Sequence, residues 1–172
     1  MPGQMQQLLR RLSPTKRVLG VFSAQRMCAA GLHRNDFGMA LSDPYLSLAT
    51  PLVATPLAVF PQGDAAWWRR LADEHDAKLV LGFGDAADMD QLHRICDGAG
   101  LAFAKFHSIP TIELVIQRAS EHPELYDFLS EDAEDRLRAL ATWDHLQPDH
   151  LAAVLLNEAL WEHSGGWHNT FG

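Results

Sequence analysis

Apolar positions along the chain fall into short runs separated by polar, capped stretches. Residues 4–12 carry Met5, Leu8, Leu9 and Leu12 at three- and four-residue spacing, which predicts a helix stopped by Ser13-Pro14. Arg17-Val18-Leu19-Gly20-Val21-Phe22-Ser23 is an uninterrupted apolar run between polar neighbours, the pattern of a strand buried on both faces. Residues 24–32 read as a helix opening weakened by Gly31. Residues 36–43 show no clear element, and the mostly apolar stretch from Pro44 leaves room for a short helix up to Thr50.

The middle of the chain is more regular. Leu57-Ala58-Val59-Phe60 is strand-like and leads through Gly63-Asp64-Ala65-Ala66 into a helical pattern. Leu79-Val80-Leu81-Gly82-Phe83 does the same through Gly84-Asp85-Ala86-Ala87, and the tetrads start 84 − 63 = 21 residues apart. Each aspartate stands where an N-cap belongs, its carboxylate placed to accept a backbone N–H of the first turn. The first helix is expected to bury Trp67, Trp68, Leu71 and Ala72. The second is expected to bury Met89, Leu92, Ile95 and Cys96 and to end at Gly98 or Gly100. Residues 101–106 form a further strand. Strands alternating with helices at this spacing predict crossovers in a parallel sheet.

After Thr111 the pattern is helical. Ile112, Val115 and Ile116 have helical spacing, although their β-branched side chains also suit a strand; residues 123–129 fit a short helix. Ser130 caps a helix with an acidic first turn and an apolar face of Ala133, Leu137, Leu140 and Ala141. Pro148-Asp149 starts a last helix, apolar through Leu151, Ala152, Leu155, Leu156, Ala159 and Leu160, ended by Gly165-Gly166. The predicted class is α/β: a small, mostly parallel sheet of three to five strands with crossover helices, then an all-helical C-terminal segment. The expected organisation is an N-terminal helix (1–15), an α/β core (16–118), a helical segment packed on it (119–166) and a tail (167–172).

Composition narrows the setting. A hydrophobic fraction of 47% with 21% charged residues is that of a chain with a real core. Pro44, Pro51, Pro56 and Pro61 interrupt the longest nearly uncharged stretch, and residues 1–12 lack the apolar core of a signal peptide, so a cytoplasmic location is expected. The net charge of −8 disfavours broad nucleic-acid binding. Arg10, Arg11, Lys16 and Arg17 gather near the start, which reads most simply as a solvated helix end. Acids are densest between residues 121 and 135.

Candidate chemistry is sparse. Cys28 and Cys96 have no CxxC spacing and read as packed free thiols. Gly82-Phe83-Gly84-Asp85 lacks the third glycine of a dinucleotide loop and puts a carboxylate where pyrophosphate would lie. No Gly-Lys-Ser/Thr occurs, so no nucleotide cofactor is expected. Nine histidines show no His-Glu-x-x-His and no three- or four-residue spacing, so no metal is expected.

A nucleophilic site is conceivable in the first loop, where Ser23, Cys28, His33 and Asp36 follow one another and His107 comes later. Such a site would lie at the carboxyl edge of the sheet, where open α/β sheets bind ligands. Arg34-Asn35-Asp36-Phe37-Gly38-Met39 is similar to the Arg-x-Asp-Leu-x-Met stretch of type 2 peptidyl-tRNA hydrolases, with the strand and helix of residues 78–100 in compatible order. The likeness covers under half the chain. Ser42 to Tyr45 stand where that family has a lysine.

Tryptophan is the other unusual feature. Trp67 and Trp68, Trp143 and Trp161 are read as partner-binding anchors, against ordinary core packing as the plain alternative. The expected function is a non-catalytic interaction or accessory protein, binding a protein partner or another copy of itself through exposed aromatics and an acidic helical tail. The alternative is a small hydrolase or transferase using the first-loop residues.

Overall fold

A computed structural model describes residues 17–27, 31, 33–52, 64–106 and 109–163. The expected helix at 4–12, the strand at 57–60, the end of the last helix at Gly165-Gly166 and the tail with Trp167 lie outside them. The first apolar run continues beyond Ser23. Strand β1 is Arg17–Met27 and β2 is His33–Ser42, and residues 24–27 pair with residues 33–36. Residues 24–27 of the helix expected over 24–32 are therefore strand, paired antiparallel with β2. Residues 36–43, which showed no clear element, belong to β2 up to Ser42. Their large and small residues alternate, with Phe37, Met39 and Leu41 on one face and Gly38 and Ala40 on the other.

No helix forms between Pro44 and Thr50. The Asp43 carboxylate accepts from the backbone N–H of Ser47 (2.6 Å) and Leu48 (3.2 Å), closing a turn into the short β3, Ala49–Pro51.

Helix α1 (Ala65–His75), β4 (Ala77–Gly84), α2 (Ala86–Ala99) and β5 (Ala102–Lys105) complete the α/β part. The sheet order is β3-β2-β1-β4-β5. Only β2 runs against its neighbours, so four of the five strands point the same way, in keeping with the class read from sequence. Helices α1 and α2 cover one face through Trp68, Ala72, Met89 and Leu92, packed on Leu19, Val21 and Met39. Asp64 caps α1 as expected, accepting from Trp67 N–H (2.9 Å), and α2 ends at Gly100 in the left-handed region.

The twin tetrads differ in one respect. Asp85 occupies the cap position of α2 but its carboxylate makes no cap bond, and accepts instead from Gln25 N–H of β1 at 2.8 Å.

The other face carries the helical segment. Thr111 caps α3 (Ile112–Glu121), and Ser130 caps α4 (Glu131–Leu140). Between them residues 123–125 make a single 3-10 turn, shorter than the helix expected to 129. Helix α5 (Pro148–His163) lies between the sheet and these elements, and every residue from 151 to 160 is buried. Two of them are polar. Asn157 acts as an extra rung on the edge strand: its Oδ1 accepts from Ala49 N–H (2.7 Å), and its Nδ2 donates to Ala49 O (3.1 Å) and Leu125 O (2.9 Å). Glu158 accepts from Arg118 Nε (2.9 and 3.0 Å) and Tyr126 OH (2.7 Å), and the Arg118 guanidinium lies 4.5 Å from the Trp161 ring centroid. Burial, then the Glu158 charge, pushes the Tyr126 phenol well above its ordinary pKa.

Candidate functional site at the carboxyl edge of the sheet

The parallel pairing of β1 with β4 stops at Ser23 and Gly84, close to where β5 ends, and each apolar run there closes on a phenylalanine: Phe22, Phe83 and Phe106. There they border a cleft of about 490 Å³ on the α5 side of the sheet. Leu151 and Leu155 of α5 line it with Ile109, and the link from α4 to α5 contributes Ala141, Thr142, Trp143 and Asp144. Phe83 and Phe106 meet edge to face, with centroids 5.5 Å apart. Trp143 is half-buried.

Backbone geometry sets the rim. Gly84 has φ +133°, and a Cβ there would stand 1.8 Å from the Ser23 carbonyl oxygen, so only glycine lets β4 turn this close to β1. The turn is stitched by Asp85 N–H donating to Ser23 O (3.0 Å) and by Asp85 Oδ2 accepting from Gln25 N–H. Asp85 is thereby fixed in place while remaining exposed. Across the cleft, Thr142 Oγ1 accepts from Asp144 N–H (3.2 Å) at the start of the 3-10 turn Trp143–His145. Among the described residues the lining contains two carboxylates, Asp85 and Asp144, and no lysine, arginine or histidine.

The first-loop residues do not converge here. Ser23 is 3% exposed and its hydroxyl donates to Asp88 Oδ2 of α2 at 2.7 Å. Asp36 is 4% exposed and stands opposite Ala24 in the antiparallel register, so it shares Ala24's face, the α5 side. Ser23 and Asp36 therefore point to opposite faces of the sheet, and neither offers a surface to a substrate. Of His33 the backbone pairs with Met27 at the end of the hairpin; Cys28 and His107 lie outside the described residues.

The tryptophans separate as well. Trp68 has no exposed surface and packs edge to face with Phe37 (6.4 Å) in the core, which corrects its reading as an exposed anchor. Trp67 is half-buried against Trp68 at 5.1 Å. Trp161 is half-buried under Arg118, and Trp143 borders the cleft.

Sequence reading missed the cleft as a unit. The signal that could have found it was the phenylalanine closing each of three strand-like runs. A second cavity of about 290 Å³, between α4 and the start of α5, mixes Asp132 with Arg136, His145 and His150. Among the described residues no group of three or more His, Cys, Asp or Glu side chains is placed to hold a metal ion, and no helix is long and apolar enough to cross a membrane.

Cys96 is wholly buried on the inner face of α2, and burial, then the Asp97 charge, pushes its thiol up to about 12. The folded protein holds this proton more tightly than the unfolded chain. The resulting stability is complete below about pH 8.5, the ordinary thiol pKa, and is lost as pH rises towards 12. Iodoacetamide at pH 8 is expected to leave Cys96 unmodified until denaturant is added, as peptide mass spectrometry would show. Rapid labelling of the native protein would contradict the burial.

No family model matches the chain, and no curated protein matches it. Among solved structures it is similar to the Thermus thermophilus RuvC structure, with 16% identity and a TM-score of 0.39 over 87% of this chain and 96% of that one.

Proposed function

We propose that this protein is a cytoplasmic, non-catalytic interaction protein whose protein partner docks at the carboxyl-edge cleft. The observation that carries the reading is the cleft itself, an aromatic depression with Trp143 in its wall and Ile109, 65% exposed, beside it. Leu140, 50% exposed, precedes the lining residue Ala141, which extends the apolar surface onto the end of α4. Large apolar side chains left to solvent around a concave aromatic surface are what a partner would cover. The acidic first turn of α4 gives the same segment a negative field. Against the hydrolase or transferase alternative stands the placement of Ser23 and Asp36, buried on opposite faces.

The test is purification of the tagged protein from cells that express it, followed by mass measurement in solution. A stoichiometric complex, with another protein or with a second copy, is expected. It should weaken at least tenfold in Trp143→Ala and Ile109→Glu, the range expected when an interface anchor is removed. A monomer that carries no partner, or a complex indifferent to both substitutions, would overturn the reading.

A further inference from the structure

We infer that the cavity between α4 and the start of α5 binds a free α-amino acid, Arg136 holding its carboxylate and Asp132 its ammonium. The inference goes beyond the docking reading and is independent of it, because cavity and cleft share no described lining residue. Residues four apart on a helix stand one turn apart on one face, where an aspartate and an arginine can pair. Elsewhere this chain closes such contacts: Arg69 meets Asp73 at 3.3 Å on α1, and Arg138 meets Asp135 at 3.9 Å on α4 itself. Asp132 and Arg136 both line the cavity, and the side chain of neither is paired, with the other or with any described residue.

Opposite charges facing one space are the complement of a zwitterion. An anion alone would meet Asp132, and a cation alone would meet Arg136. The remaining lining suits a molecule of this kind. A volume of about 290 Å³ is at the small end for a ligand pocket. Leu137 and Leu146, 2% and 6% exposed, supply buried apolar surface for the ligand's own side chain. His145 ends the 3-10 turn and His150 lies in the first turn of α5, so a second wall brings two imidazoles that can donate or accept. The His150 ring lies against Phe128, with centroids 5.6 Å apart.

The experiment titrates the full-length protein, at constant pH, with each of the common free L-amino acids and with sulfate. The readout is the ring C–H resonances of His145 and His150, assigned by their absence in His145→Gln and His150→Gln. Saturable shifts of both are expected from at least one amino acid, with a Kd of about 1 mM or lower. The tightest binder is then compared with its N-acetyl derivative, which lacks the ammonium, and its amide, which lacks the carboxylate. Each derivative should bind at least about tenfold more weakly, because one charge of the site is left unmatched.

Two variants separate lost charge from the added bulk of the derivatives. Asp132→Asn should weaken the free amino acid about tenfold and leave its N-acetyl derivative unchanged, and Arg136→Gln should do the same for the free acid and its amide. Both side chains are exposed, so each variant should melt within a few degrees of the parent, which a thermal scan checks. No saturation by any amino acid up to about 10 mM would overturn the inference. So would an N-acetyl derivative or an amide that binds as tightly as the free form. Sulfate shifting both histidines at the same concentrations would also overturn it, because the cavity would then be a simple anion site.

Discussion

Glu158→Ala is expected to lower the unfolding free energy by about 3–5 kcal/mol, the usual cost of removing one partner of a buried ion pair. The carboxylate is 7% exposed and its partner Arg118 is 15% exposed, so water cannot replace the lost bonds. Two donors are stranded together, the Arg118 Nε and the buried Tyr126 hydroxyl. For a domain of this size such a loss lowers the melting temperature by roughly 10 °C, which a thermal melt reads directly. The pair is not the cheapest way to fill the space. Arg118→Met combined with Glu158→Leu should return most of the stability, because neither charge is then left buried. A single variant that melts within about 1 °C of the parent would show that Glu158 does not hold α3 and the 123–126 turn to α5.

Gly38→Ala is the second large effect. A Cβ at position 38 would lie 2.1 Å from the carbonyl carbon of Pro148, 2.2 Å from its oxygen and 2.3 Å from Asp149 N. These are backbone atoms, so no side chain can rotate away, and α5 must lift from β2 at its first turn. Overpacking of this kind costs about 3 kcal/mol or more. Its position gives it a second consequence. Residues 141–144, which wall the cleft, run into Pro148, so lifting α5 also displaces Trp143 and Asp144. Destabilisation and loss of the docked partner should appear together, by chemical melt and by recovery of the cellular complex. Gly98→Ala is the control: its Cβ would meet only Ala65 Cβ at 3.3 Å, on the exposed side of the last turn of α2, where alanine is the better helix former.

What sequence made legible depended on how local the cause was. Asp64 and Ser130 cap their own helices, and the α5 pattern from Leu151 to Leu160 needs only a sheet beneath it. Strand β2 was hidden because its inward positions on the α5 side are small, with Gly38 and Ala40 making room for a helix backbone instead of displaying an apolar run. Asp85 repeats the Asp64 tetrad yet bonds to Gln25, because β1 runs on past Ser23 and brings an unclaimed N–H within reach.

Trp68 was read as a possible anchor because its neighbour is also tryptophan. Of the pair, only Trp68 is directed onto Phe37 and the sheet, so the register of α1 separates them. The cleft draws on β1, β4, the end of β5 and the 141–144 link, which are distant in the chain. Only the shared terminal phenylalanines hinted that these ends meet.

The most direct measurement is photo-crosslinking in cells with a photoreactive amino acid at position 109, beside the cleft, compared with position 78, an exposed site at the start of β4. The cleft account predicts one discrete protein adduct from position 109, lost when Trp143→Ala is added, and none from position 78. Equal adducts from both positions, or none from position 109, would contradict it.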